Sequence, residues 1–221
     1  MNLLAQMLLR FFVMAALILL LLFAPAGTFH YWQAWSYFAL IFFVTFAIFI
    51  YIYLHDKDLL KRRMESREKL SAQKWLMNLM YLFWPLAMML PGLDHRFAWS
   101  HLPAWLSVVS LLVVLSGYLF VFWVVNTNRF AARTIRVEQG QQLISTGPYA
   151  IVRHPMYLGM LGIFLCTPLA LGSLYAVPIF ALFIPIIVVR LMSEEKLLLA
   201  ELPGYVDYCS KTRCRLIPLI W

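Results

Sequence analysis

The chain has 221 residues, of which 63% are hydrophobic and only 13% charged, and its mean hydropathy is +0.80. Soluble domains carry about 25% charged residues, so this balance excludes an ordinary soluble protein and marks one polytopic membrane domain. The formal net charge of +8 does not point to nucleic acid, because the basic residues flank apolar runs as topology signals do and can rest against anionic lipid.

Residues 3–24 form the first apolar run, with Arg10 as its one charge. Its basic start and the sequence Ala24-Pro25-Ala26 share features with a secretory signal; the expectation is an uncleaved first span. Residues 28–33 carry His30, Tyr31 and Trp32, aromatic groups suited to headgroup depth. Residues 34–54 form a second span, long enough for about 30 Å of hydrocarbon at ~1.5 Å per residue. Residues 55–74 are the longest polar stretch, with seven Lys/Arg against four Asp/Glu. They read as a solvated loop or a short amphipathic helix on the membrane surface. Residues 75–93 form a third span, interrupted by Pro85 and ended by Pro91-Gly92. His95 and His101, in the connection 94–103, have neither helical nor zinc-ligand spacing. Residues 104–125 form a fourth, uninterrupted span.

A polar connector, 126–147, contains Arg129, Arg133 and Arg136 and leads into the most unusual stretch, residues 145–159. Gly147-Pro148 reads as a tight turn, and His154-Pro155 as the start of a helix, because proline disfavours helical geometry before it and suits the first helical position. Arg153 and His154 therefore sit beside free N–H groups and the positive end of a helix dipole, where a polar ligand can be held. By itself Arg153 could equally be an interfacial side chain and His154 a solvated cap. Residues 155–171 and 174–189 are two short apolar blocks, either two tightly turned spans or a shallow hairpin, with kinks expected at Pro178 and Pro185. Gly159 and Gly162 would let a neighbouring helix approach closely. Arg190 closes the second block and shares a helical face with Glu194. Residues 191–221 read as a polar tail with a short helix around 194–201, broken by Pro203-Gly204. Cys166, Cys209 and Cys214 are odd in number and form no Cys-x-x-Cys pair, so neither a metal site nor a disulfide framework is expected.

The fold expected is an all-α bundle of about six membrane helices. With both termini on one side, seventeen of the 18 Lys/Arg share that side and only Arg96 lies opposite, which the positive-inside rule reads as cytoplasmic. Both polar clusters then face the cytoplasm. Residues 1–125 form the anchor and a lipophilic cavity; residues 126–221 carry the site. The membrane would be the inner membrane of a bacterium or the endoplasmic reticulum of a eukaryote.

The run Gln142-Leu143-Ile144-Ser145-Thr146-Gly147-Pro148-Tyr149, then Arg153-His154-Pro155-Met156-Tyr157-Leu158-Gly159, then Arg190, Glu194-Glu195, Leu198, Gly204-Tyr205, Tyr208 and Pro218 resembles the isoprenylcysteine carboxyl methyltransferase family. That family shares motifs with membrane phospholipid methyltransferases. The resemblance covers residues 126–218 and implies a helical membrane methyltransferase using S-adenosylmethionine. It places cofactor contacts on Gln141, Gln142, Leu143, Ile144, Tyr149, His154, Pro155, Met156, Tyr157 and Glu194. It makes Arg190 the residue that binds and orients the substrate, with His154 beside it in the catalytic set and no metal. Gln141 stands where the family commonly has histidine. The tyrosine rings can face a sulfonium or stack on adenine, the helix start can take a carboxylate, and Glu194 can accept from ribose or ammonium. The partners implied are a lipophilic or prenylated substrate entering from the bilayer, and membrane lipids. An amine acceptor, as in phospholipid methylation, would need a proton acceptor from among Glu194, Glu195 and His154. A membrane reductase using NADPH and a non-catalytic assembly factor are the other readings of the same fold.

Overall fold

The computed structural model describes residues 3–64, 71–128, 130 and 141–221, and every regular element among them is helical. Helices α1 (Leu3–Ala26), α2 (Trp32–His55), α4 (Ser71–Phe97) and α5 (Ala104–Thr127) alternate in direction. The short α3 (Lys57–Met64) lies between α2 and α4. A single 3-10 turn (Gly147–Ala150) precedes α6 (Pro155–Ala170), α7 (Val177–Ala181), α8 (Phe183–Glu201) and α9 (Tyr205–Lys211). Five segments are long and apolar enough to cross a membrane: Leu4–Ala26, Trp32–His55, Lys74–Phe97, Ala104–Thr127 and Val177–Glu201. This is the fold of an integral membrane protein. Helix α3 is the surface helix anticipated in the polar stretch, with Leu59 and Leu60 packed against Met7, Ile52 and Val125 and Lys61 exposed beside Asp58.

Three boundaries differ from the sequence reading. The third span continues through Pro91-Gly92 to Phe97, because Gly92 lies so close to α1 that a Cβ there would stand 2.5 Å from the Leu22 carbonyl oxygen. The last two apolar blocks are not alike. Helix α6 has 16 residues, about 24 Å at ~1.5 Å per residue and shorter than a full crossing, whereas α7 and α8 together make a 25-residue span. Pro178 starts α7, and Pro185, which cannot donate to the Ala181 carbonyl, accounts for the break at Leu182. Finally, Glu194 and Glu195 are not on a separate tail helix. They continue α8, so Arg190 and both glutamates ride on the end of a membrane helix.

Helices α5 and α6 form the most extensive pair. Gly159 is pressed against α5, where a Cβ would meet Val121 Cγ2 at 2.6 Å and the Gly117 carbonyl oxygen at 3.3 Å. Gly117 returns the approach: a Cβ there would meet Ile163 Cγ1 at 2.7 Å and the Gly159 oxygen at 3.1 Å. At Gly162 a Cβ would make only an ordinary contact, 4.0 Å from Val113 Cγ1, so Gly117, not Gly162, is the second half of this close crossing. The crossing brings the start of α6 beside the end of α5.

At the opposite end of the bundle, Asp94 is 1% exposed. It accepts from Ser100 N (2.7 Å) and Ser100 Oγ (2.6 Å) and from Ser173 Oγ. Tyr31 donates to the Leu171 oxygen at 2.5 Å and stacks on His95 with ring centroids 4.0 Å apart. The 94–103 connection is thereby pinned to the α6–α7 turn. His95 is a packing residue.

Candidate active site

Local chemistry sets the first wall of the site. Gly147 has φ +59°, a left-handed conformation that glycine adopts at little cost, and Pro148 then starts the 3-10 turn that presents Tyr149. His154 caps α6 and Pro155 occupies its first turn, as the proline rules require. The Tyr149 hydroxyl accepts from Asn128 Nδ2 at 3.1 Å, and its carbonyl oxygen accepts from the Tyr208 hydroxyl at 2.7 Å. The turn is thus held between the end of α5 and α9.

Across from it, α8 presents Arg190 and Glu194. Tyr157, one turn into α6, donates to Glu194 Oε2 at 2.7 Å, with the Arg190 guanidinium beside the same hydroxyl. Arg190 is 8% exposed, Tyr157 4% and His154 4%. These groups open onto one cleft of about 830 Å³, its mouth included. Gln141, Gln142, Leu143, Ile144, Tyr149, His154, Pro155, Met156, Tyr157, Arg190 and Glu194 all line it. The structure therefore brings together the residues to which the resemblance assigns cofactor and substrate contacts, but not Glu195. Arg129, Arg133 and Arg136 lie outside the described residues.

Other lining residues complete it. Leu198, Leu202, Tyr205 and Tyr208 add an apolar, aromatic end. Tyr205 and Tyr208 belong to the motif by spacing, but their place in the wall depends on α9 folding back through Gly204.

The electrostatics favour a polar ligand. His154 Nε2 and Tyr205 Oη are buried and have no hydrogen-bond partner among the described residues, and an unsatisfied buried polar group costs about 1–3 kcal/mol. Burial holds the His154 pKa below its ordinary value, outweighing the opposing pull of Glu194 and Glu195, so the imidazole is neutral at pH 7. Burial also pushes the Tyr208 hydroxyl up to about 12. A cleft with a buried cation, a carboxylate, two orphan polar atoms and an aromatic end suits a zwitterionic ligand bearing a flat ring. No group of three or more His, Cys, Asp or Glu that could hold a metal ion occurs among the described residues.

Arg153 also lines the cleft, but its guanidinium is engaged with Glu195, which does not line it. Arg153 Nη1 meets Glu195 Oε1 at 2.5 Å, and Arg215 Nε meets Glu195 Oε2 at 2.7 Å. Glu195 is therefore bound up in two ion pairs and is not an available proton acceptor.

A multi-spanning helical membrane protein with this cleft at one end of the bundle is the class that fold and site define. Residues 105–202 match the model of the phospholipid methyltransferase family. Two curated proteins are similar to the same chain. The nickel-cobalt-cadmium resistance protein NccN of Alcaligenes xylosoxydans xylosoxydans is 31% identical over 113 residues, 49% of this chain and 50% of that protein. The cobalt-zinc-cadmium resistance protein CzcN of Cupriavidus metallidurans is 30% identical over 109 residues, 47% of this chain and 49% of that protein. The match thus spans about half the length of these relatives. Among solved structures, the eukaryotic intramembrane Ras methyltransferase, an isoprenylcysteine carboxyl methyltransferase, aligns with a TM-score of 0.53 at 16% identity, covering 100% of this chain and 88% of that one. The chain shares its fold. The family match falls on the stretch that carries most of the motifs, and the structural match is one of fold.

Proposed function

We propose that the protein is an integral membrane methyltransferase that uses S-adenosylmethionine and acts on the carboxylate of a lipophilic substrate. The observation that carries this reading is the convergence of His154, Tyr157, Arg190 and Glu194 on one buried cleft. The orphan atoms His154 Nε2 and Tyr205 Oη support occupancy by a ligand, and the residues present fit this cofactor. His154 and the first turn of α6 would hold its carboxylate end. Glu194, steadied by Tyr157, would accept from its ammonium or ribose hydroxyls, and Tyr149, Tyr205 and Tyr208 offer faces for its base.

Bound there, S-adenosylmethionine would supply a methyl group from its sulfonium, so that an acceptor carboxylate would become a methyl ester and the cofactor a neutral thioether. A carboxylate is already ionised at pH 7, so no side chain need remove a proton. The work left to the protein is orientation and exclusion of water. Arg190 would grip the acceptor carboxylate through its planar fork and aim one oxygen into the cleft. The apolar bundle around it would admit the substrate's lipid part from the bilayer. The charge asymmetry supports a cytoplasmic position for the cleft.

A phospholipid amine is the second acceptor, favoured by the family match over residues 105–202. It requires loss of a proton, and the neutral His154 would be the group to take it, a role that its unpartnered Nε2 supports.

Calorimetric titration of the purified chain with S-adenosylhomocysteine and with NADPH tests the cofactor: saturable binding of the first alone is expected, and binding of NADPH alone would overturn the reading. Methylation of lipid extracts and of a farnesyl-cysteine analogue with radiolabelled cofactor then separates the carboxylate acceptor from the amine.

A further inference from the structure

The doubled glutamate at the end of α8 divides into two roles. Glu194 faces Tyr157. Its neighbour Glu195, with a side chain only 4% exposed, takes Arg153 on one oxygen and Arg215 on the other. Successive helical residues point about 100° apart, so fixing one of the pair fixes where the other points.

Arg153 does more than pair with Glu195. Its Nε donates to the Thr212 carbonyl at 2.7 Å, and its Nη2 to the carbonyls of Cys209 (3.0 Å) and Arg213 (3.2 Å). The backbone joins in, with Arg153 N donating to the Cys214 oxygen and His154 N to the Arg215 oxygen, both at 3.0 Å. The tail then folds on itself, Leu216 N and Ile217 N donating to the Trp221 oxygen at 2.8 and 3.0 Å. Leu216 packs in one buried cluster with Tyr157, Ile187 and Leu191. Three segments distant in sequence meet on one buried carboxylate: the start of α6, the end of α8 and the tail.

We propose that Arg153, Glu195 and Arg215 form an ionic clasp that fastens the C-terminal tail across the base of the cleft and so positions Glu194 and His154 for the ligand. They are positioning residues. The proposal rests on the reading of the cleft as a cofactor site. Burial makes the clasp cooperative: removing one partner leaves a buried charge uncompensated, so the segments part together. Arg153 is specific to its place, because a lysine nitrogen cannot span four acceptors, one on α8 and three on residues 209–213. Arg215 contributes one bond and is 36% exposed, so a lysine there can keep its role.

The test uses the full chain in lipid nanodiscs, with Glu195→Gln, Arg153→Lys, Arg215→Gln, Arg215→Lys and, for comparison, Glu194→Gln. One measurement is the alkylation rate of Cys214 by N-ethylmaleimide, read by peptide mass spectrometry. Cys214 reports the tail directly, since its sulfur accepts from Leu219 N at 3.3 Å and its carbonyl from Arg153. The other is the affinity for S-adenosylhomocysteine. Glu195→Gln, Arg153→Lys and Arg215→Gln are expected to speed alkylation several-fold and to weaken binding roughly tenfold or more. Arg215→Lys is expected to recover most of both. Glu194→Gln should weaken binding and leave alkylation as in the wild type. If Glu195→Gln alkylates at the wild-type rate, the clasp is overturned; if it alkylates faster but binds normally, the positioning role is overturned. A wild-type chain that binds no S-adenosylhomocysteine overturns the cofactor reading instead, and the alkylation rates still decide whether the clasp exists. Because Arg215 is partly exposed, Arg215→Gln keeps the test decisive should Glu195→Gln fail to fold.

Discussion

The Tyr157 hydroxyl donates to Glu194 at 2.7 Å, joining α6 to α8 across the cleft. A charge-assisted bond of this kind contributes about 1.5–3 kcal/mol when buried. Tyr157→Phe removes the donor and keeps the ring. It is expected to weaken S-adenosylhomocysteine binding by about 1–2 kcal/mol, and Glu194→Ala by about 1–3 kcal/mol. In the double variant the losses should fall short of additive by more than ~0.5 kcal/mol, because the two residues share one bond. Titration of the four proteins checks this; full additivity would mean that the pair does not act together on the ligand.

Arg190 offers a separation of cofactor from acceptor. Arg190→Lys keeps the charge but loses the planar fork. Turnover on a farnesyl-cysteine analogue should fall at least about tenfold, or ~1.4 kcal/mol of transition-state stabilisation, with affinity for S-adenosylhomocysteine nearly intact. Arg190→Ala should be worse in both. Wild-type turnover in Arg190→Lys would remove Arg190 from acceptor orientation.

His154 sets a pH dependence. Burial lowers its pKa in the folded protein, while the unfolded chain titrates near ~6.5. The unfolded state therefore binds more protons as pH falls below that value. The stability that comes from keeping His154 neutral is present above about pH 6.5 and is lost as pH falls toward the lowered folded pKa. Thermal melting in nanodiscs should show a loss between pH 7.5 and 5 that is smaller in His154→Asn. An identical loss in the variant would assign the acid sensitivity to other groups.

The close crossing of α5 and α6 separates two glycines that look equivalent in sequence. A Cβ at Gly159 would lie 2.6 Å from Val121 Cγ2 and 3.3 Å from the Gly117 oxygen, whereas at Gly162 the nearest atom is 4.0 Å away. Gly159→Ala is expected to cost about 1–3 kcal/mol. Gly162→Ala should be neutral or gain up to ~1 kcal/mol from helix propensity. Comparing the two melting temperatures decides it.

Membrane orientation is open to cysteine labelling. The bundle places the α2–α3 junction, the start of α6 and α9 at one end, with Arg96 at the other beside Gly27. Single cysteines replacing Lys57 and Gln142 should label from the cytoplasmic side, and one replacing Arg96 from the opposite side. Labelling of Lys57 and Gln142 positions from different sides would break the positive-inside assignment.

Much of this protein follows from chemistry that is local in the chain. Apolar runs of about twenty residues define the membrane helices because lipid leaves the backbone no other partner. Gly147-Pro148 and His154-Pro155 set a turn and a helix start through the restricted angles of proline and the freedom of glycine. The family resemblance of the motifs named eleven residues that line the cleft, though not Asn128, Phe130, Leu197 or Leu202, which line it as well. The tertiary structure decided what those rules do not reach. Arg153, readable in sequence as an interfacial side chain, instead joins Glu195, 42 residues away, and Glu195 takes Arg215 20 residues further on. The i, i+4 spacing from Arg190 picks out Glu194, but no local pattern says what Glu195 meets; helix rotation against α6 and the tail turns Glu195 to Arg153 and Arg215. The choice of Gly117 over Gly162, the passage of α4 through Pro91-Gly92 and the burial of Asp94 were settled the same way. Each depends on which surfaces come within a few ångströms when the helices pack, and that distance is a property of the whole bundle.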